Sequence, residues 1–456
     1  MENNNQKLKK MNIRLQIKGL ILTVCCFAYS SNGIAQEKIS FTWKGRSFDT
    51  FNHFGITAAY AERFIIDWGD GTPIEMRTGT GDLEYIIHSY FDTNNYTVSI
   101  RGTTANCFFR NLNLSNCQVS NLNISESRAL QYLFCNDNQL SNLDVSTNKA
   151  LRGLNCYNNR LSVLDLHTNT ALEWVNCYNN WLSVLDIRAN RRLESLFCFS
   201  NRLTNLYLGA NTALRDLACS GNSLTYLNTS GCKALRWLDC SHNELFALYI
   251  GANVPLESLF CDNNHLQLSN LYDISAEINN KNGKYFGQQI LPKQALKIGS
   301  SVNFSVQKEF GGIATVFTIE KEGLPALASD YAINDGIITF YQRGIYTVIM
   351  TNSAIVASYP AQVIVEFNVG NVGIADAVQE IAEVKIYPNP TTGKITIRNE
   401  KLGMSSEIEV FDAVGQVVGT WYTTPEQSEM EIDISHLSAG LYFLKIDGKT
   451  VKVVKQ

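Results

Sequence analysis

A repeat of 21 residues is the feature of this sequence that most constrains its fold. Seven cysteines follow one another at this interval, and seven asparagines keep the same interval three residues later. The ladder cysteines are Cys135, Cys156, Cys177, Cys198, Cys219, Cys240 and Cys261. The asparagines are Asn138, Asn159, Asn180, Asn201, Asn222, Asn243 and Asn264. A period of this length predicts a solenoid, in which each repeat forms one coil and buries its apolar side chains against the next.

Each repeat has the pattern L-x-x-L-x-C-x-x-N-x-L, which resembles the leucine-rich-repeat consensus with cysteine in the sixth position. A degenerate turn precedes the regular ones, with Leu112 and Leu114 in register and Cys117 in place of the asparagine. Because side chains alternate along a strand, Leu133 and Cys135 should both point into the coil, and the stacked strands should form a parallel sheet. The asparagine amides should bond backbone groups where the chain turns.

A second column of asparagine and cysteine predicts that the opposite corner of the coil is built similarly. Its members are Asn148, Asn169, Asn190, Asn211, Cys232 and Asn253. Once strand and turns are subtracted, about 10 residues remain for the far side, too few for a stable helix, so this side should be extended or 3₁₀. The predicted fold class is mainly β: a leucine-rich-repeat solenoid of 21-residue coils with a parallel sheet and little helix, flanked by β-sandwich domains.

The first 35 residues have the features of an export signal peptide. Basic residues precede an apolar run from Leu20 to Tyr29, and a small-residue cleavage site follows at Gly33-Ile34-Ala35. Lipid anchoring at Cys25 or Cys26 is the weaker alternative, because Val24 is not the small residue that lipidation prefers. The apolar run is shorter than the about 20 residues of a membrane helix, and no comparable stretch follows. We therefore predict an exported chain without a transmembrane segment.

The segments on either side of the solenoid, which we place at residues 106–275, alternate apolar and polar residues as strands do. Residues 36–105 contain Asp67-Trp68-Gly69-Asp70-Gly71-Thr72 and later His88-Ser89-Tyr90, and this spacing resembles a PKD-type β-sandwich. Turn chemistry explains Asp67 and Asp70, because two carboxylates on one turn do not make a calcium site. Residues 276–368 have the size and turn punctuation of an immunoglobulin-like β-sandwich.

A linker at residues 369–382 leads to a distinctive final segment, residues 383–456. Its order of motifs resembles the type IX secretion sorting domain of Bacteroidetes. The residues on which the resemblance rests are Pro388, Asn389, Pro390, Gly393, Asp412, Gly415, Gln416, Gly440 and Tyr442. The resemblance implies that the chain passes the inner membrane by its signal peptide and the outer membrane through the type IX secretion machinery. The product should then be secreted or attached to the outer surface.

Neither charge nor motif points to nucleic acid or catalysis. Lys+Arg total 38 and Asp+Glu 42, and no long basic block could follow a phosphate backbone. The ladder cysteines should be free thiols, because parallel strands about 4.8 Å apart do not turn neighbouring Cβ atoms toward each other. Cys107 with Cys117 is the one pair to test for a disulfide. No metal-ligand spacing, nucleophile motif or phosphate loop occurs, so we predict no enzyme activity, no metal and no cofactor.

The outward strand positions of the coils are rich in aromatic side chains. The aromatic face, as we name this set, consists of Tyr132, Phe134, Tyr157, Trp174, Tyr178, Phe197, Phe199, Trp237 and Phe260. A contiguous aromatic patch usually marks recognition of a protein or ligand, whereas cross-strand stacking or cover by another domain is the alternative. We expect a surface protein that binds an unidentified protein or glycan for adhesion or recognition. A structural spacer or surface-matrix component that needs no ligand is the competing hypothesis, and an enzyme with an unrecognised site is a third.

Overall fold

The computed structural model of the 456-residue chain describes residues 36–45, 52–278, 283–370, 385–387, 391, 393–398, 407–412, 417–422, 429–438, 440–446 and 449–455. The predicted export signal and most of the predicted linker, residues 371–382, lie outside the described residues. Two compact units divide the chain, the first ending at Trp181 and the second beginning at Leu182. Strands dominate both units, as the sequence predicts.

The first unit opens with antiparallel strands whose alternating apolar residues, such as Ile39, Phe41 and Trp43, are fully buried. The strands are β1 (Lys38–Lys44), β2 (Asn52–Ala58), β3 (Arg63–Asp67), β4 (Glu75–Thr78), β5 (Glu84–His88), β6 (Asn95–Gly102), β7 (Phe109–Asn113) and β8 (Val119–Asn123). One sheet has the order β4-β3-β6-β1-β8, and the other begins β5-β2-β7. β7 and β8 are two sides of the predicted degenerate turn, so both sheets continue into the first coil through the β2–β7 and β1–β8 pairs.

The remaining coils of the first unit stack in parallel with an offset of one repeat. Their strands are β9 (Tyr132–Phe134), β10 (Gly153–Asn155) and β11 (Trp174–Asn176). Leu112, Leu133, Leu154 and Val175 stand side by side in the register and are completely buried. The parallel sheet and the inward direction of the repeat leucines therefore agree with the prediction.

The second unit has the same coil geometry within itself. Its coil strands are β12 (Val184–Asp186), β13 (Ser195–Phe197), β14 (Asn205–Tyr207), β15 (Asp216–Ala218), β16 (Tyr226–Asn228), β17 (Trp237–Asp239), β18 (Ala247–Tyr249) and β19 (Ser258–Phe260). β13, β15, β17 and β19 form one parallel sheet. On the other side of the coil, β12 pairs with β14 and β16 with β18, so the far side is extended, as the short repeat requires.

Buried asparagine amides tie each coil to its neighbour. Asn159 donates from Nδ2 to the carbonyl oxygens of Cys135 at 2.9 Å and Cys156 at 3.1 Å, and its Oδ1 accepts from the Leu140 amide at 2.9 Å. At the opposite corner, Asn169 donates to two further backbone carbonyls and is fully buried. One member of this second column was predicted wrongly: Asn253 is exposed with φ 61°, and the next residue, Val254, is buried instead.

A modified coil ends the solenoid within the second unit. Helix α1 (Leu268–Glu277) follows the last regular repeat, and β20 (Lys284–Tyr285) then pairs in parallel with β19. Phe286 is buried after β20, where a regular coil has its cysteine. Gln289 takes the place of the asparagine, because its Nε2 donates to the carbonyls of Cys261 at 2.9 Å and Phe286 at 2.7 Å. Residues that the sequence assigned to the following β-sandwich thus complete the asparagine column.

A β-sandwich follows the solenoid. Its strands are β21 (Gln288–Lys297), β22 (Ser301–Asn303), β23 (Glu309–Phe310), β24 (Ile313–Ala314), β25 (Val316–Lys321), β26 (Leu324–Pro325), β27 (Tyr331–Asn334), β28 (Ile337–Phe340), β29 (Gly344–Thr351) and β30 (Gln362–Gly370), with a 3₁₀ turn at Ser305–Gln307. One sheet has the order β21-β30-β29-β25-β26 and another the order β22-β28-β27. Phe340, Tyr346 and Phe367 pack together in the core.

The last described segments form a smaller pair of sheets. The strands are β31 (Lys385–Tyr387), β32 (Lys394–Arg398), β33 (Glu407–Asp412), β34 (Val417–Tyr422), β35 (Glu429–Asp433), β36 (Gly440–Ile446) and β37 (Lys449–Lys455). The sheet orders are β31-β32-β35 and β34-β33-β36-β37. Apolar residues of both sheets, including Ile397, Ile408 and Leu444, form one core between them. The segment therefore has a hydrophobic core of its own.

We expect the ladder thiols to resist alkylation in the folded protein. They form no disulfides and are buried, and burial raises the pKa of Cys135 and of Cys177 to about 12. Iodoacetamide attacks the thiolate, so at about pH 8 these thiols should react slowly in the native protein and rapidly after unfolding in guanidinium chloride. Mass spectrometry of labelled peptides checks this. Fast native labelling of the Cys135 and Cys177 peptides would contradict the buried ladder.

Candidate ligand-binding face

The first-unit part of the aromatic face is a set of rings in mutual contact. Trp174 lies 6.3 Å from Tyr132 and 5.7 Å from Phe134, measured between ring centroids. Tyr157 and Tyr178 stack at 4.3 Å with their planes 7° apart. All five side chains are half-buried, on the outward side of the strands. Burial and the Asp137 carboxylate raise the pKa of Tyr157 to about 12, so its hydroxyl stays neutral.

A glycine makes the position of Trp174 possible. Gly153 is the register partner of both Tyr132 and Trp174, and the Trp174 ring lies across it. A Cβ atom built on Gly153 would be 2.1 Å from Cζ2 of that ring. Any side chain here would displace the tryptophan, so Gly153 keeps the rings of this unit together.

The second-unit part of the aromatic face is built in the same way. Trp237 lies 6.3 Å from Phe197 and 6.2 Å from Phe260, and all three are half-buried. Phe199 is also half-buried on the outward side. Phe260 stacks at 4.4 Å on Tyr285, a residue that the sequence analysis missed because it lies off the 21-residue period. Tyr285 is the register partner of Phe260 in the β19–β20 pair, so it also belongs to this part of the face.

Ion pairs lie next to the N-terminal ends of the coil strands. In the first unit, Arg152 Nη2 lies 2.7 Å from Glu173 Oε1. In the second unit, the guanidinium groups of two arginines each meet a glutamate. These pairs are Arg215 with Glu194 at 3.6 Å and Arg236 with Glu257 at 3.0 Å. Exposed ion pairs of this kind each contribute only about 0–1 kcal/mol to the free energy of unfolding. Their main effect is to neutralise the charges next to the beginnings of the strands.

The predicted turn motif of the N-terminal strands is a turn in the structure. Asp67 Oδ1 accepts from the Gly69 amide at 3.0 Å, and Asp70 Oδ1 accepts from the Thr72 amide at 3.0 Å. His88 Nε2 lies 2.8 Å from Asp70 Oδ2. Burial alone would raise the pKa of Asp70, but the hydrogen bonds from Thr72 and His88 outweigh it and leave the pKa below its ordinary value. Both carboxylates are thus engaged in turn bonds, as predicted.

Aromatic packing holds this turn against the N-terminal strands. Trp68 stacks on His88 at 4.2 Å, and its carbonyl accepts a hydrogen bond from the Tyr90 hydroxyl at 3.0 Å. That hydroxyl in turn accepts from Nε1 of Trp43 at 2.9 Å. Trp68, Tyr90 and Trp43 therefore form one buried hydrogen-bonded network beside the exposed turn.

Cys107 and Cys117, the pair singled out for a possible disulfide, are not bridged, and both are buried. The Cys117 thiol donates to the carbonyl oxygen of His53 at 3.1 Å. Among the described residues, no group of three or more histidine, cysteine, aspartate or glutamate side chains could hold a metal ion.

Only some residues of the predicted sorting motif are among the described residues. Pro388, Asn389, Pro390, Gly415 and Gln416 lie outside the described residues. Asp412 ends β33 opposite Tyr442, and Gly440 begins β36 opposite Lys455. Tyr442 is buried and donates from its hydroxyl to the Ser438 carbonyl at 2.8 Å. Gly393 is also buried, and a Cβ atom there would be 2.8 Å from that of Ser435, so the turn needs glycine.

Comparison with protein families identifies this segment. Residues 385–456 match the family described as the secretion system C-terminal sorting domain. The segment is a type IX sorting domain. The protein is therefore exported, and it is attached to the cell surface or secreted. Among the described residues, no helix has both the length and the apolar character needed to cross a membrane. The sorting domain also implies interaction with the type IX secretion machinery.

Solved structures similar to the chain include leucine-rich-repeat proteins. The functional domain of InlJ from Listeria monocytogenes, described as including a cysteine ladder, is 23% identical with a TM-score of 0.35, over 55% of this chain and 64% of that one. The internalin-like protein lmo2027 of the same organism is 16% identical with a TM-score of 0.30, over 54% and 74%. The leucine-rich-repeat domain of APL1B is 26% identical with a TM-score of 0.28, over 31% and 43%. The chain thus spans less than two thirds of the InlJ and APL1B structures. No curated protein matches it.

Proposed function

We propose that this exported protein is a binding protein that captures an extracellular protein or glycan through the aromatic face. The observation that supports this most is the grouping of half-exposed rings on outward strand positions in both units, such as Trp174 with Tyr132 and Trp237 with Phe260. Large aromatic side chains supply contact area at a low cost in conformational entropy. A solenoid presents them on a rigid sheet, and the sorting domain delivers that sheet outside the cell. The proposal includes no catalysis and no cofactor.

Replacing Trp174, Tyr178 and Phe199 together with alanine should weaken binding about 100-fold or more, because aromatic side chains dominate the binding energy of such surfaces. The full chain would first be screened on an array of glycans and extracellular proteins, and the triple variant would then be compared on the strongest hit by surface plasmon resonance. Phe246→Ala is the matched control, because Phe246 is 50% exposed but lies on the other side of the coil. Unchanged affinity of the triple variant would remove the aromatic face from the proposal.

A structural role is the second candidate, and one observation favours it. Rings of the face pack on their neighbours, as Tyr157 does on Tyr178, and cross-strand stacking of this kind stabilises a sheet without any ligand. A spacer or surface-matrix component would leave the array blank. Deletion of the protein would then change the architecture of the cell surface, which electron microscopy would detect.

A further inference from the structure

The second-unit part of the aromatic face differs from the first in its charge. Its outward positions are 195, 197 and 199 and the positions 21, 42 and 63 residues after each of them. These twelve positions contain three aspartates, Asp216, Asp239 and Asp262, and no lysine or arginine. The arginines that border the strands, Arg215 and Arg236, are already paired with Glu194 and Glu257. This part of the face is therefore negatively charged as well as aromatic.

The carboxylates lie directly beside the rings. Asp216 is the register partner of Trp237, and Asp239 is the register partner of Phe260. On its other side Asp239 adjoins Ala218, which in turn adjoins Phe197. Each of these two aspartates thus has an aromatic ring beside it in the same row of the sheet.

Hydroxyl groups hold two of the carboxylates in place. Ser195 donates to Asp216 Oδ2 at 3.2 Å. Ser220 donates to Asp239 Oδ2 at 2.9 Å, and Ser241 donates to Asp239 Oδ1 at 2.7 Å. These neutral donors orient the carboxylates and leave their charge uncompensated. Remaining lone pairs on the oxygens can accept from a ligand.

The first unit provides an internal comparison. Where the second unit has Asp239, the corresponding outward positions of β10 and β11 are Asn155 and Asn176. Where the second unit has Asp216, β10 has Gly153. At these positions the same coil geometry therefore presents uncharged residues in the first unit and carboxylates in the second. The charge is a property of this part of the face and not of the repeat.

We propose that this acidic and aromatic part of the face binds arginine side chains of a basic polypeptide segment. The inference rests on the proposed function and names the chemistry of its partner. A guanidinium group is planar, so it can stack on the Trp237 ring while its N–H groups donate to a carboxylate such as Asp216 or Asp239. The positive charge complements the three aspartates, and a neutral glycan would make no use of them.

The test uses the full chain and a fluorescent peptide with three Gly-Ser-Arg repeats. A matched peptide contains citrulline in place of each arginine, which keeps the shape and removes the charge. In fluorescence anisotropy, the arginine peptide should bind at least about tenfold more tightly than the citrulline peptide. Its affinity should also fall several-fold when NaCl rises from about 0.05 to 0.5 M, because salt screens exposed charges. Equal affinity for the two peptides would overturn the proposal.

Variants locate the binding site. Asp216→Asn and Asp239→Asn should each weaken binding of the arginine peptide by about tenfold, because asparagine keeps the size and loses the charge. Glu244→Gln is the control, since Glu244 is exposed on a turn away from the aromatic face and the substitution removes the same charge. Far-ultraviolet circular dichroism confirms that each variant is folded. If Glu244→Gln weakens binding as much as Asp239→Asn, attraction to the acidic protein as a whole explains the result and the proposal fails.

Failure of this inference can be told apart from failure of the proposed function. If the arginine peptide does not bind but an array hit is lost in the aromatic triple variant, the face binds a different partner and only the charge inference is wrong. A neutral glycan as that hit would give this result. If the array hit survives the triple variant and the arginine peptide also fails to bind, both proposals fall.

Discussion

Replacing Asn138 with alanine should lower the free energy of unfolding by about 3 to 5 kcal/mol, because it leaves several buried backbone groups without partners. The side-chain Oδ1 of Asn138 accepts hydrogen bonds from the backbone N–H of Cys117 at 3.2 Å and of Val119 at 2.8 Å. It also donates to the carbonyl oxygens of Leu114 at 2.7 Å and Cys135 at 3.0 Å. No alanine side chain can replace these bonds. Chemical unfolding of the full chain, followed by circular dichroism, measures the loss.

The matched control for this variant is Asn142→Ala. Asn142 is in the same coil, four residues later, but its side chain is exposed. Its loss should change the free energy of unfolding by less than about 0.5 kcal/mol. If Asn138→Ala and Asn142→Ala unfold at the same denaturant concentration, the corner amides are not what holds the coils together.

The period of the sequence predicted the columns of the solenoid because stacked coils repeat one backbone conformation. Any interior position with a strict size or bonding requirement then shows the same residue every 21 positions, as Cys156 and Asn159 do. The column of residues that precede the corner residues was not predicted from the sequence, for the opposite reason. Its requirement is a positive φ, which several residue types satisfy, so no single residue type fills the whole column. The column consists of Asn116, Asp137, Asn158, Asn179, Ser200, Gly221, His242 and Asn263.

Contacts between distant segments could not be read from the repeat. β1 pairs with β8 although about 80 residues separate them. The alternation of apolar and polar residues in β1 does not indicate which strand is its partner. Gln289 completes the asparagine column from a position 25 residues after Asn264, where the period has already ended. Local pattern predicts which residues form strands, but the pairing depends on the whole fold.

The sequence predicted which strand positions carry the aromatic face, but it did not predict the contacts between the rings. Alternation along each strand placed Trp174 outward once Val175 was assigned to the interior. The ring contacts depend on side-chain directions and on the space above Gly153, which the sequence pattern does not encode. Tyr285 joined the face only because β20 pairs with β19. Whether these residues bind a ligand stays a prediction.

Deleting residues 383–456 should abolish surface display and leave the product in the periplasm, because the type IX sorting domain is what the outer-membrane machinery recognises. The deletion should not unfold the rest of the chain. The strands of the sorting domain, β31 to β37, pair with one another in two sheets and have a separate core that includes Ile408 and Leu444. Cell fractionation and the accessibility of the solenoid to protease added to intact cells measure the location. Normal display of the truncated chain would refute the sorting assignment.

A reciprocal fusion separates sorting from folding. Residues 383–456 fused to an unrelated periplasmic reporter should carry that reporter to the cell surface, since the domain has its own core. Gly393→Leu in the fusion is the matched control, because a side chain at Gly393 would collide with Ser435 and disturb the turn while leaving the reporter intact. The unmodified fusion should become accessible to external protease, and the Gly393→Leu fusion should remain in the periplasm. If both fusions stay periplasmic, the segment needs the preceding domains, and the sorting signal extends beyond its own fold.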